Sequence, residues 1–450
     1  MAGGFQQNYG RPSKRLVSDH PRTNVFKIEG DKAPRAEFKS IAIQGNRTWS
    51  GRRRMTGLLG LIVCLAPLST SVRAQGLAVT RWEKVPPNEG ELIQTLVSDL
   101  SKLVQSNTSQ GKYRALRDAH PRGIGCVEAR FSVDTRLEKR FQTGVFAKPG
   151  QSYDAIIRFS SSLGPAGDQI PDARGMAIKI FGVPGQKLLD SQKDALTHDF
   201  LQIDAPIFPT VDAEDFAGLV KVRLQPASLV GFLSKRTFQR LKALKAVNDL
   251  TNGNPHRGRS LADRAYFSQV PYLLQGPEVN TPIKFASKPC QESQQPPSVK
   301  LDGSSAELRH ELQDRLSQGD LCFDFGIQLY KDNVGFKIED GTSLWAESIS
   351  PFIKVAKIII KKQNFVTDQK LGYCDSLSFQ PWHALSQHRP LGGINRVRKA
   401  VYEAITTLRH EMNRESDLIN EPRDLQVWKT LTSKTYELWK AVDIPAAEKN

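Results

Sequence analysis

Arg398 and Tyr402 are the pair of residues whose types and spacing carry the most specific chemistry. Residues four apart lie on one face of a helix, so the guanidinium and the phenol would be neighbours. A nearby positive charge lowers the pKa of a tyrosine and favours the phenolate. A phenolate is an anionic oxygen ligand that suits a ferric haem iron. The alternative interpretation is a surface arginine stacked on a tyrosine ring.

His120 is the second candidate, and the Pro121 and Gly123 that follow it indicate a turn leading into a strand. A neutral imidazole can act as a general base and take a proton from a bound peroxide. Ser160, at the end of a predicted strand, could orient that ring. Arg117, three residues before the histidine, could bind a carboxylate with two hydrogen bonds. A structural histidine and a solvated arginine are the alternatives.

These residues belong to motifs that occur in a defined order along the chain. The motifs are 113–123 (YRALRDAHPRG), Arg158-Phe159-Ser160, 172–177 (DARGMA) and Arg398-x-x-x-Tyr402. In order and approximate spacing, the sequence resembles the catalase superfamily, and in particular its shorter catalase-like haem-binding members. The resemblance covers residues 113–413. It implies an antiparallel barrel, with haem b buried between the barrel and helices.

The resemblance also implies a role for each matching residue. His120 would be the distal histidine above the haem, and Ser160 would be its hydrogen-bond partner. The other residues would surround the porphyrin and hold its iron: Arg117 and Arg158 at the propionates, Phe216 over the distal face, Tyr402 as the iron ligand and Arg398 as the charge partner of that tyrosine.

One position departs from the pattern of true catalases, which carry a distal asparagine before an Asn-Thr-Pro segment. Anchored on Pro206, that position holds Ile203 in this chain. An isoleucine donates no hydrogen bond to a peroxide. Gln202 or Asp204 could replace the donor only in a different register. By analogy with other catalytic sites, loss of one such donor costs on the order of 10²–10³ in rate.

Three functions are compatible with this site. The first is a haem-dependent catalase-like or peroxidase-like oxidoreductase that decomposes or reduces hydrogen peroxide or an organic hydroperoxide. The second is a haem-binding protein with little turnover, which Ile203 motivates. The third is a hydroperoxide isomerase, an activity that the resemblance allows.

The elements that must position these residues indicate an α+β fold with a closed antiparallel β-barrel and flanking helices. Stretches rich in β-branched and aromatic residues predict strands, and helical periods predict helices. The predicted strands are 124–133, 153–160, 173–181, 200–203, 283–286, 322–330 and 355–360, and the predicted helices are 91–104, 213–222, 235–249, 304–317 and 394–412.

The charge distribution divides the chain. The whole protein of 450 residues carries a net charge of +16, and residues 1–54 contribute 12 Lys/Arg and 4 Asp/Glu, or +8. The remaining charge is too weakly basic for a nucleic-acid interface. We interpret 1–54 as a basic extension, 75–110 as a helical lead-in, 111–413 as the haem-binding domain and 414–450 as a C-terminal helical tail.

Residues 55–74 have the features of a secretory signal peptide: arginines precede an apolar run that ends in small residues. The run is too short for a spanning helix, so we expect no stable membrane anchor. The predicted location is periplasmic or secreted, or cytoplasmic if the segment is not processed. Four cysteines follow this segment, and their spacing neither requires nor excludes disulfides. A monomer or dimer is expected rather than a tetramer.

Overall fold

The computed structural model describes residues 80–109, 114–162, 167–234, 236–251, 260–291, 295–298, 300–415, 421–425 and 428. The predicted basic extension 1–54 and the predicted signal peptide 55–74 lie outside these residues, as does most of the predicted tail 414–450. The architecture below refers to the described part of the chain.

A single antiparallel sheet organises the structure. Its strands are β1 (Arg122–Val133), β2 (Ser152–Ser161), β3 (Arg174–Phe181), β4 (Thr197–Ile203), β5 (Tyr266–Phe267), β6 (Tyr272–Gly276), β7 (Val279–Pro289), β8 (Leu321–Leu329) and β9 (Ile353–Ile360). The hydrogen-bonded order is β4-β3-β2-β1-β9-β8-β7, and the two-residue strand β5 pairs with both β4 and β7. Eight strands therefore close into a barrel, while β6 extends β7 as a hairpin. The predicted closed barrel is confirmed.

Phenylalanine rings fill the barrel interior. Phe200 lies 4.9 Å from Phe325 and 5.2 Å from Phe285, measured between ring centroids. Phe131 joins the same cluster, 5.2 Å from Phe325. Alternate residues of a strand face opposite sides of the sheet, so these inward rings leave the intervening side chains to face the helices. The barrel is therefore a packed core.

Helices cover the outside of the barrel. They are α1 (Glu89–Ser109), α2 (Ala213–Leu224), α3 (Leu229–Ser234), α4 (Thr237–Thr251), α5 (Glu307–Gln318), α6 (Asp368–Ser376) and α7 (Gly393–Asn413). Apolar residues of α1, α2 and α7, among them Leu96, Val220 and Val401, form one cluster. Among the described residues, no helix combines the length and apolar character needed to cross a bilayer.

Two helical predictions need correction. The predicted helix 235–249 corresponds to α4, which begins at Thr237 because Arg236 has a φ of +49°, outside helical geometry, and the short helix α3 before it was not predicted. Helix α6 was not predicted at all. Its sequence is polar and includes Gly372, so neither a strong apolar period nor high helix propensity marks it.

The start of α7 is fixed by a buried cluster of charges. Gly392 has a φ of +86°, and a Cβ there would lie 2.6 Å from the Ile338 carbonyl, so the turn requires glycine. Arg396, which is 6% exposed, makes ion pairs of 2.7 Å with both Glu83 and Glu89. Although burial alone raises the pKa of Glu83, its hydrogen bond from Arg396 holds that pKa below the usual value.

Two disulfides join elements that are distant in sequence. Cys126 of β1 is bonded to Cys374 of α6, and Cys290 is bonded to Cys322 of β8. The cysteine pattern left this pairing open, and the structure pairs all four. The first bond attaches the end of α6 directly to the barrel.

We expect Arg396→Met to lower the free energy of unfolding by about 3–5 kcal/mol, because it leaves buried Glu89 without its cation and leaves Glu83 with Arg389 alone. Arg130→Met is the matched control, since Arg130 pairs with Asp154 where both side chains are about half exposed, and it should cost about 0–1 kcal/mol. Urea denaturation near neutral pH measures both. Equal losses in the two variants would show that the Arg396 cluster does not anchor α7.

Candidate functional site

His120 lies in the turn before β1 with a φ of +54°. Its ring packs over Gly175 of β3, where a Cβ would come within 2.8 Å of Nδ1 and 2.5 Å of the Ser160 Oγ. Ser160 Oγ, on β2, lies 3.3 Å from His120 Nδ1. The glycine of the predicted 172–177 motif therefore makes room for the histidine. Because Nδ1 faces the serine, Nε2 is the ring nitrogen left for another partner.

The electrostatic environment keeps His120 neutral. Burial lowers the pKa of its imidazole to about 3, and the positive charges of Arg158, Arg398 and Arg174 add to this effect. The ring therefore holds a lone pair at physiological pH, as a general base requires. Arg398 is on α7, so its influence shows that the turn before β1 and this late helix face one region.

Arg398 and Tyr402 are neighbours on α7, as their spacing predicts. The guanidinium carbon of Arg398 lies 5.3 Å from the centroid of the Tyr402 ring, and Nη1 donates to Asn395 Oδ1 at 3.1 Å. Burial alone lowers the pKa of Arg398, but the facing phenols of Tyr402 and Tyr272 raise it above its usual value. Tyr272 is a second buried phenol beside Arg398, and no motif in the sequence indicated it.

Four arginines converge at the carboxyl end of α6: Arg114, Arg117, Arg158 and Arg409. Arg117 donates to the carbonyl oxygens of Leu377 and Cys374, the latter at 3.4 Å. Arg409 donates to the carbonyls of Asp375 and Ser376, the latter at 3.2 Å. The carboxyl end of a helix is its negative pole, so it attracts these guanidinium groups.

Arg158 connects this arginine cluster to the histidine turn. It donates to the carbonyls of His120 and Pro121 at 3.0 and 3.2 Å, and to Asp375 Oδ1 at 3.3 Å. A change in the position of the arginine cluster would therefore be transmitted directly to the backbone of His120.

The arginine cluster carries more positive charge than its acidic neighbours balance. Asp375 and Glu415 are its carboxylate partners. Burial and the neighbouring guanidinium groups lower the pKa of Arg409 to about 9 and that of Arg117 well below its usual value. The buried Nε atoms of Arg158 and Arg409 have no hydrogen-bond partner among the described residues. Such a cluster favours an anionic group such as a carboxylate.

Phe216 lies on α2 and is part of the apolar cluster of α1, α2 and α7 that includes Tyr402. Its ring packs edge-on against Phe208, with 5.7 Å between the ring centroids. The predicted aromatic position and the predicted iron ligand therefore border the same apolar cluster.

Ile203 lies beside the histidine. In the antiparallel register of β3 and β4, Ile203 pairs with Gly175, the residue over which the His120 ring packs. Phe200 faces the barrel interior, so the alternation along β4 directs Gln202 inward and Ile203 outward, towards the histidine side. The side chain next to the general base is thus apolar.

Neither polar neighbour of Ile203 replaces the donor. Gln202 Oε1 accepts a 2.7 Å hydrogen bond from Ser287 on β7. Asp204 accepts hydrogen bonds from the Arg174 amide at 2.8 Å and from Arg264 at 2.6 Å. On β4, the structure thus places Ile203, rather than Gln202 or Asp204, on the side of the strand that faces His120.

Of the residues predicted from sequence, the structure places Ser160 and Arg158 against His120, and it places Arg117 in the arginine cluster. It places Arg398 beside Tyr402, and Phe216 with Tyr402 at the apolar cluster of α1, α2 and α7.

Other residues of these groups were missed. Arg409 follows Tyr402 by seven residues, or two helical turns. The helical period therefore predicts that both lie on one face of α7, and this pattern could have identified Arg409. Arg114 and Asp375 carried no such signal, since α6 was not predicted.

The arrangement fits a haem. Within the described residues, the unpaired Nε atoms of Arg158 and Arg409 offer donors to propionates, and the phenol of Tyr402 lies beside a guanidinium. His120 and Tyr402 are each partly accessible, and Arg398, which lies over the Tyr402 ring, is close enough for its charge to act on the His120 imidazole. A phenol that can supply an oxygen ligand and a neutral imidazole are the groups that a ferric haem with an acid–base partner requires.

Comparisons with known proteins identify the fold. The chain resembles a fungal catalase (TM-score 0.53, 16% identity, 70% of this chain and 64% of that one) and catalase A from Saccharomyces cerevisiae (TM-score 0.53, 16% identity, 70% and 66%). It also resembles a bacterial catalase (TM-score 0.50, 16% identity, 78% and 66%). The matched region thus spans slightly less than two thirds of each catalase. No family profile and no curated protein matches the sequence.

The depressed pKa of His120 predicts a specific dependence of stability on pH. The unfolded ring takes up a proton below about pH 6.5, whereas the folded ring stays neutral down to a pKa of about 3. Unfolding therefore binds a proton at about pH 4–6, and His120 makes stability rise with pH there, by about 1.4 kcal/mol per pH unit. His120→Gln should reduce the slope of unfolding free energy against pH by that amount in urea titrations. Parallel curves for the two proteins would contradict the buried, neutral state.

Proposed function

We propose that this protein binds haem b in the space bordered by His120, Phe216 and Tyr402 and acts on peroxides. Tyr402 would ligate the iron, with Arg398 as its charge partner. Arg117, Arg158 and Arg409 would hold the propionates. The observation that carries the proposal is that Arg398 lies over the Tyr402 ring and is also close enough for its charge to act on the His120 imidazole, in a chain with a catalase-like fold.

The chain's own residues supply acid–base chemistry and orientation. When bound, ferric haem supplies the redox centre at which the peroxide O–O bond is cleaved. His120 Nε2 takes a proton from one peroxide oxygen and returns it to the other. Ser160 holds the ring through Nδ1, 3.3 Å away. The Arg398 guanidinium, 5.3 Å from the centroid of the Tyr402 ring, would offset the negative charge of the tyrosine oxygen when it serves as the iron ligand.

The reaction we favour is decomposition or reduction of a peroxide by an oxidoreductase. Ile203 beside His120 removes a donor and adds an apolar surface, which favours an organic hydroperoxide over hydrogen peroxide. Two alternatives share the same site: haem binding with little turnover, for which the missing donor is the argument, and isomerisation of a hydroperoxide. Product analysis with an organic hydroperoxide and an added two-electron donor distinguishes reduction, which yields an alcohol and water, from isomerisation, which conserves composition.

We further propose that the mature protein is exported and works as a monomer or dimer on small-molecule substrates, without a nucleic-acid partner. Disulfides persist mainly in oxidising compartments. Two of them, Cys126–Cys374 and Cys290–Cys322, support export, as does the predicted signal peptide at 55–74.

An absorption spectrum of protein produced with haem tests the ligand assignment. The wild-type protein should show the Soret band and charge-transfer features of high-spin ferric haem bound to tyrosinate. Tyr402→Phe should lose or shift these features, because a phenyl ring supplies no oxygen ligand. Tyr330→Phe is the matched control: this ring packs 5.6 Å from Trp82 in a separate aromatic cluster, so its spectrum should match wild type. Absence of haem uptake by well-folded wild-type protein would overturn the proposal.

Restoring the distal donor tests the proposed role of Ile203. We expect Ile203→Asn to raise turnover of hydrogen peroxide by about 10²–10³, because the amide donates a hydrogen bond to the bound peroxide. Ile170→Asn is a control at a surface position that is 43% exposed, and it should leave turnover unchanged. Oxygen evolution measures both. Haem binding without any gain in Ile203→Asn would argue that the position does not limit the reaction.

A further inference from the structure

A segment that follows α7 packs on the outside of the barrel. Its described residues, 421–425 and 428, are called the strap below. Trp428 is 1% exposed, its ring centroid lies 4.9 Å from that of Tyr373 on α6, and its Nε1 donates to Glu128 Oε1 on β1 at 2.9 Å. Leu425 and Trp428 join one apolar cluster with residues of β1, β2, β3 and α6, among them Cys126, Ile156, Phe181 and Cys374.

Ionic contacts hold the start of the strap. The two carboxylate oxygens of Glu421 accept hydrogen bonds from Lys179 Nζ at 2.9 and 2.8 Å. The same carboxylate accepts from Thr197 Oγ1 and lies 3.4 Å from His383 Nε2. Lys179 is fully buried and also pairs with Asp199 at 2.8 Å. Removing one partner from a buried group of charges is costly, so these contacts keep the strap seated.

The strap covers the Cys126–Cys374 disulfide. Cys126 is 0% exposed and Cys374 is 2% exposed, and both belong to the apolar cluster that Leu425 and Trp428 complete. The rate at which a thiolate cleaves a disulfide depends on access to a sulfur atom. A covered disulfide therefore reacts only when its cover opens. The second disulfide, Cys290–Cys322, is not part of this cluster.

We propose that the strap makes the Cys126–Cys374 bond a redox-sensitive device: the seated strap shields the bond, and release of the strap allows a dithiol to reduce it. One thiolate of the dithiol attacks a cysteine sulfur, and the second closes the reductant into a cyclic disulfide. Cys126 and Cys374 thereby receive two electrons and two protons and become free thiols. This inference does not depend on haem binding.

Reduction would loosen the support of the arginine cluster. Cys374 lies near the carboxyl end of α6, and its carbonyl accepts a hydrogen bond from Arg117 at 3.4 Å. The next residues of this helix end accept from Arg409, at 3.2 Å in the case of the Ser376 carbonyl. Without the covalent link to β1, this helix end would be held to the barrel by non-covalent contacts alone.

The rate of disulfide reduction in the full chain tests the proposal. Protein is treated with dithiothreitol near neutral pH without denaturant, free thiols are alkylated at intervals, and mass spectrometry of peptides follows each disulfide separately. Glu421→Gln combined with Trp428→Ala should speed reduction of Cys126–Cys374 roughly tenfold or more, because the closed strap loses an ion pair and a buried indole. Cys290–Cys322 should keep its wild-type rate. Glu421→Gln alone should act in the same direction with a smaller effect.

Arg423→Gln is the matched control, since Arg423 is a charged residue of the strap but is exposed; both disulfides should then react as in wild type. Equal acceleration of the two disulfides in the double variant would indicate general loosening of the fold and would overturn the proposal. An unchanged rate at Cys126–Cys374 would overturn it as well.

Hydrogen exchange tests the consequence for α6. The Leu377 amide donates to the Tyr373 carbonyl at 3.0 Å. We expect amides 374–377 to exchange faster once Cys126–Cys374 is reduced, because the helix end opens more often. Exchange that reduction leaves unchanged would overturn the proposed link between this disulfide and the arginine cluster.

Discussion

The ion-pair cluster around Arg396 is the constraint on which the geometry of the candidate site depends. It holds the first turn of α7 against Glu83, Glu89 and Glu339, three carboxylates from two distant segments. Arg398 and Tyr402 follow on the same rigid helix, so their positions relative to the barrel are set by this first turn. Arg389 also pairs with Glu83, at 3.2 Å, and such a buried cluster of cations and carboxylates is stable only while its members remain in place. A mutation at Arg396 would therefore disturb a tyrosine that it does not contact.

A second group of charges, the four-arginine cluster at the carboxyl end of α6, also supports the candidate site. The four-arginine cluster would repel itself if it were not held by Asp375, Glu415 and the carbonyls that end α6. The Cys126–Cys374 bond attaches this helix end to β1, and Cys126 pairs in register with Arg158 on β2. The disulfide and the hydrogen bonds of the arginine cluster thus hold the same end of α6 against the barrel. The cluster retains donor capacity for an anion because the protein compensates its charge only in part.

Much of the fold could be predicted from the sequence, because buried strands and amphipathic helices carry local periods. The strand β5 could not, since two residues carry no period, yet it closes the barrel. Helix α6 is polar, and its importance depends on arginines that reach it from three other segments. The pairing of Cys126 with Cys374 depends on tertiary proximity, which spacing does not encode.

The candidate site likewise combines features set by local sequence patterns with features that depend on tertiary proximity. Motifs such as Arg398-x-x-x-Tyr402 are local and could be predicted, and the structure places them together. Arg409 was missed although a helical period relates it to Tyr402. Tyr272 was missed for a physical reason: it comes from the β6 hairpin, and only the closed barrel brings it opposite Arg398.

The register of β3 and β4 places two features of the proposed site side by side. Gly175 makes room for the His120 ring and its serine partner. The residue paired with that glycine is Ile203, so the surface next to the imidazole is apolar. Proton transfer needs only the neutral imidazole, whereas stabilising a charged peroxide oxygen needs the donor. A site with the first property and not the second discriminates by the shape and polarity of the group attached to the peroxide, because an alkyl substituent packs against isoleucine at no desolvation cost.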